Sequence, residues 1–302
     1  MSKVSKILIL IFTLLLVVFS FFYLFYSQKI SYWKSENISY CKENCGFGGN
    51  PYFWRESYDI ENSLCLRIAP PYGYKRVLVK ENSFEEWLRY LPLKEGSPFI
   101  FLHNNQKAYQ FPNIGIVDID IGDKDLQQCA DAIMRLRAEY LFTKKDYKKI
   151  HFNFVSGFTA SYSRWKQGFR PVVAGNNVEE IKLASFDDSW KNFREYLNAV
   201  FNYANSFSLE KELNQVDISD IKIGDVFIKG GFPGHGVIVV DVAKNDKKEK
   251  IFLLAQSNIP AQDIHISKNQ KNSKLNGWYE ADFGNALEIP GWTFKKTELK
   301  RF

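Results

Sequence analysis

The stretch from Ile221 to Asn258 constrains the fold more than any other. Gly224-Asp225 opens a short apolar run, Val226 to Ile228, and Gly230-Gly231-Phe232-Pro233-Gly234 breaks it, as clusters of Gly and Pro do. Val237 to Val242 is β-branched almost throughout, the composition of a strand covered on both faces. Polar Asn245 to Lys250 reads as a turn, and Ile251 to Ala255 as the returning strand. The expected product is a hairpin with His235, one of 4 histidines, at its rim. If Val242 pairs with Ile251, then Val239 meets Leu254 and Val237 meets Gln256, which leaves Gln256 diagonal to His235 on one face. A one-residue slip would present Ala255 and Ser257 instead.

Upstream, Asp123-Lys124-Asp125 offers helix caps and a favourable negative first turn. Leu126, Cys129, Ile133, Leu136 and Tyr140 then recur at spacings of three and four, which predicts one apolar helix face. Cys129 on that stripe has two readings. Cys is a common buried helix residue, so core packing accounts for it. A thiol near a helix N-terminus is also a candidate nucleophile, because the local positive potential favours the thiolate.

The hairpin motif, Gly224-Asp225-Val226-Phe227-Ile228 followed by Gly234-His235-Gly236-Val237-Ile238, resembles the papain-like bacterial cysteine hydrolases of the NlpC and CHAP types. Gln128-Cys129 resembles the pair that opens the CHAP helix, and Gln256 falls where that family places the residue orienting its His. The resemblance implies Cys129 as nucleophile, His235 as base and Gln256 as orienting residue. Ala130 departs from the polar residue usual after an NlpC-type nucleophile. Leu126-Gln127-Gln128-Cys129-Ala130-Asp131 and Pro260-Ala261-Gln262-Asp263-Ile264-His265 also resemble the runs of a bacterial domain family of unknown function. That second resemblance covers most of the chain and implies no activity.

Lys3 and Lys6 precede an uncharged run from Ile7 to Tyr26. About 20 apolar residues span a bilayer core of roughly 30 Å as a helix, so a membrane anchor over residues 1–27 is expected, with the rest extracytoplasmic. A cleaved signal peptide is the rival, with the bulky Phe21 to Tyr26 run against it. Residues 28–65 read as an irregular lead-in carrying Cys41, Cys45 and Cys65, where a disulfide leaves one cysteine over. The charge of +6, from 40 basic and 34 acidic residues, is no nucleic-acid signature. No repeat, phosphate-cradling glycine loop, metal set or cofactor motif stands out.

Residues 66–302 are expected to form one α+β domain: a papain-like helix packed on an antiparallel sheet, preceded by the transmembrane helix and elaborated at about 150–215. Asp187-Asp188 there is expected to cap a structural helix with a stripe of Trp190, Phe193, Leu197, Val200, Phe201 and Ala204. The leading functional expectation is a membrane-anchored thiol hydrolase acting on a cell-wall peptide or other amide. A non-catalytic envelope-binding module and a thiol acyltransferase are the alternatives.

Overall fold

A computed structural model describes residues 3–96 and 99–302 of the chain. The chain divides into two compact units, Met1–Asn44 and Cys45–Phe302. The first unit is one helix, α1 (Lys3–Glu43). The expected membrane-spanning segment is corrected here, because among the described residues no helix is long and apolar enough to cross a membrane. The apolar run is part of a 41-residue helix that continues through Lys29, Lys34, Glu36 and Lys42. At 1.5 Å per residue that helix is roughly 60 Å long, about twice a bilayer core. Residues 28–43, which read as irregular, are its second half, and Met1 and Ser2 of the proposed anchor lie outside the described residues.

The second unit is a mixed helix and sheet domain. In chain order its main elements are α2 (Phe84–Arg89), β1 (Asn113–Ile116), α3 (Cys129–Thr143), α4 (Trp190–Tyr203), β2 (Val226–Lys229), β3 (His235–Lys244), β4 (Lys250–Gln256), β5 (His265–Ser267), β6 (Ala286–Ile289), β7 (Trp292–Lys295) and β8 (Leu299–Arg301). The large sheet runs β1-β5-β4-β3-β2-β8, with Asn214–Gln215 beyond β8, and all of its pairings are antiparallel. β3 is buried from His235 to Ala243, as its β-branched composition predicts.

One residue in that buried run is charged. Asp241 is fully buried, with Arg76 at 2.7 Å from one carboxylate oxygen and Arg89 at 2.8 Å from the other. It sits where β3 and β4 shift register: Leu253 pairs with Asp241, whereas Leu254 pairs with Val239. The bulged residue is Val240, and beyond it the pairing brings Val239 to Leu254 and Ile238 to Ala255. The register is therefore the expected one at the His235 end and displaced by one at the turn end.

α3 packs against β3 and holds the centre of the core. It begins at Cys129, later than the Asp123-Lys124-Asp125 caps imply. Gln128 is its N-cap residue, and the Asp131 carboxylate accepts from the Gln128 N–H at 3.0 Å. Gly236 of β3 makes the close approach possible: a Cβ there would lie 2.9 Å from the Ile133 side chain. The elaboration at 150–215 consists of two small hairpins and short helices around α4, whose Phe193, Leu197, Val200 and Phe201 are buried as the stripe predicts. Ser189, rather than Asp187 or Asp188, caps it through the Asn192 N–H.

Candidate active site

Two contacts meet at the end of the β3–β4 hairpin: Cys129 against the Gly236 backbone, and His235 with Gln256. Cys129 is the first residue of α3, where the unpaired N–H groups of the helix lie. The backbone N–H groups of Cys129, Ala130 and Gly236 all point towards its sulfur. Gly236 follows His235 directly, so the hairpin rim and the helix start meet at this point. Burial nevertheless dominates: it pushes the thiol up to about 11, Asp131 adds to the rise, and the N–H groups only partly offset it. The lowered thiol expected from the helix position is not found. Among the described residues no hydrogen bond joins the thiol to the His235 ring.

His235 and Gln256 share one face, as the register requires. Nε2 of His235 lies 3.1 Å from Oε1 of Gln256, while Nε2 of Gln256 points to the Pro290 carbonyl at 3.5 Å. A carbonyl only accepts, so the amide orientation is set and the imidazole donates from Nε2. Nδ1 is then the basic nitrogen. Burial lowers the His235 pKa and the Gln256 contact opposes it, so the ring is neutral near pH 7.

Two further features were not legible as site residues. His265 of β5 pairs directly across from Gln256, which extends the polar row over three adjacent strands. Its Nδ1 donates to the Asp263 carbonyl at 3.2 Å, and its Nε2 is buried without a partner. Burial pushes it down to about 4, with His235 contributing. The second feature is the β6–β7 hairpin. Trp292 lies 5.4 Å from the His235 ring, ring centre to ring centre, and Phe294 lies 6.0 Å away. Trp292 also has a buried indole N–H with no partner. The two rings pack on the imidazole, and Cys129 is 6%, His235 4% and Gln256 1% exposed. Their signal in the sequence was the aromatic run Trp292-Thr293-Phe294, which reads equally well as core.

A family model described as Domain of unknown function (4846) matches residues 64–301. The chain belongs to that family. The match encloses Cys129, His235, Gln256 and His265, so the whole candidate site is within the family domain. No curated protein and no solved structure matches the chain.

The remaining cysteines divide cleanly. Cys41 and Cys65 are disulfide-bonded, and Cys45 is free, as is Cys129. Among the described residues no group of three or more His, Cys, Asp or Glu side chains converges in a way that would hold a metal ion.

Proposed function

We propose that the domain cleaves amide bonds through the Cys129 thiol, with a cell-wall peptide as the substrate class suggested by the NlpC and CHAP resemblance. The observation that carries the reading is the assembly of a helix-start thiol, a neutral imidazole one residue from the backbone that faces it, and an amide fixing the imidazole tautomer. His235 Nδ1 takes the thiol proton as sulfur attacks the carbonyl carbon, and returns it to the amine as the C–N bond breaks. Water then cleaves the thioester, releasing the carboxylic acid and restoring the thiol. Because thiol and imidazole are both neutral at rest, proton transfer accompanies attack. In this reading the Cys129 and Ala130 N–H groups, released from the sulfur as it attacks, stabilise the charge that develops on the substrate oxygen. The disulfide-bonded cysteines support an oxidising compartment.

The test is digestion of purified peptidoglycan by the whole chain, with released fragments resolved by mass spectrometry. New amine and carboxyl ends should form with the native protein and disappear in Cys129→Ala and His235→Ala. Native protein without cleavage, or Cys129→Ala as active as native, would sink the hydrolase. One observation favours a second reading, a non-catalytic binding module: Cys129 is covered and its thiol is pushed up to about 11. Binding to peptidoglycan that persists unchanged in Cys129→Ala, without any cleavage, would establish that module.

A further inference from the structure

At the far end of α3 from Cys129 lies an open cleft of about 750 Å³, lined by residues of α2, α3, β8 and the loop before β2. Arg137 is one of its lining residues. The guanidinium has no ion pair among the described residues; the Phe84 ring lies 4.8 Å away, the Phe302 ring 5.3 Å and the Tyr140 ring 5.9 Å. These rings hold the side chain in place by cation–π contact without neutralising it. Lys144, Lys145 and Lys222 also line the cleft, and none of them makes an ion pair among the described residues.

The other charges of the cleft are mostly spent on each other. Arg301 is bound by Asp225 at 2.6 and 2.9 Å, and Lys149 by Asp146 at 2.7 Å. Glu85 is the one lining side-chain carboxylate without an ion pair among the described residues. Among the described residues, four unpaired side-chain cations therefore line the cleft against one unpaired side-chain carboxylate. Lysines at the end of a helix also suit its negative dipole end, which accounts for Lys144 and Lys145. It does not account for Lys222, which belongs to a different segment, nor for Arg137, which is held between rings with Glu85 and Asp146 nearby but in no ion pair among the described residues.

We propose that this cleft binds a phosphate-bearing ligand, with the phosphate against Arg137 and the organic part along Phe84 and Tyr140. A phosphate carries more charge than a carboxylate and offers paired oxygens to the guanidinium fork, while lysines add point charges. The volume lies within the roughly 300–1,000 Å³ of small-molecule sites. The site is independent of the thiol chemistry at the other end of the helix.

Calorimetric titration of the whole chain with inorganic pyrophosphate tests the proposal. Saturable binding is expected, weakened at least about tenfold in Arg137→Met and in Lys144→Gln/Lys222→Gln. The lysine pair is exposed, so the second variant keeps the test open should Arg137→Met fold poorly. Lys182→Gln/Lys247→Gln, which removes the same charge outside the cleft, should bind as native. No saturable binding, binding unchanged in the cleft lysine variant, or equal weakening in the control pair overturns the proposal. Flotation with phosphatidylcholine vesicles holding one-fifth phosphatidic acid separates the ligand sources. Vesicle binding displaced by pyrophosphate identifies a lipid headgroup, and its absence alongside pyrophosphate binding identifies a soluble phosphorylated molecule.

Discussion

His235 donates from Nε2 to Oε1 of Gln256 at 3.1 Å, which leaves its basic nitrogen, Nδ1, free. Long-range nitrogen–proton NMR should therefore show a single neutral tautomer protonated at Nε2, titrating below the ordinary histidine range. Gln256→Glu places a carboxylate in the same position and should move that titration upward, because an opposite charge favours the imidazolium. Gln256→Leu should leave a mixture of tautomers and lower any amidase activity by about a hundredfold. An Nδ1-protonated ring in the native protein would refute the assignment.

The thiol makes the second prediction, on Cys45→Ser protein so that Cys129 is the remaining free thiol. Iodoacetamide labelling of Cys129 should be slow at pH 7 and climb about tenfold per pH unit until the thiol titrates at about 11. Asp131→Asn should move that rise to lower pH by removing the charge that opposes the thiolate. Labelling already at its maximum at pH 6 would mean a preformed thiolate–imidazolium pair and contradict the neutral resting state.

Asp241 supplies a third. Its carboxylate is ion-paired with both Arg76 and Arg89, and all three side chains are buried. Asp241→Asn leaves two buried guanidinium groups short of their counter-charge, and breaking a buried pair costs about 3–5 kcal/mol. Urea denaturation should report a loss of that order. A loss below about 1 kcal/mol would show that the arginines find other partners.

How much of this was legible follows from what each residue interacts with. The β3–β4 hairpin and the shared face of His235 and Gln256 were readable because period and turn chemistry are local signals. The Val240 bulge was not, because one unpaired residue leaves no mark on period or turn chemistry, and the arginines that meet Asp241 beside it come from distant segments. The start of α3 was misjudged because Asp123 and Asp125 have the side chains of good caps, whereas Gln128 does not. Asp125 instead accepts from the Ala261 N–H at 2.6 Å and from the Gln128 side chain at 3.1 Å. The packing of Trp292 and Phe294 on His235 is tertiary, and an aromatic run in sequence carries no information on what it covers. The apolar N-terminal run was read by its composition alone, whereas the helix it forms extends through charged residues on to Glu43.

Glu212 gives the last prediction. Its carboxylate is largely enclosed, and burial pushes it up to about 7, although it accepts from the Asn153 N–H at 2.5 Å. An acid whose folded pKa lies above its unfolded value makes the folded state bind more protons between the two. Its contribution to stability is therefore complete below about pH 4.5 and is lost as pH rises through about 7. Glu212→Gln keeps the shape and cannot ionise. Relative to native, the variant should gain stability at pH 8 and change little at pH 4.5, with the difference opening between those values. Urea midpoints for both proteins across that range measure it. A gap that closes as pH rises would reverse the sign and place Glu212 among the carboxylates stabilised by ionisation.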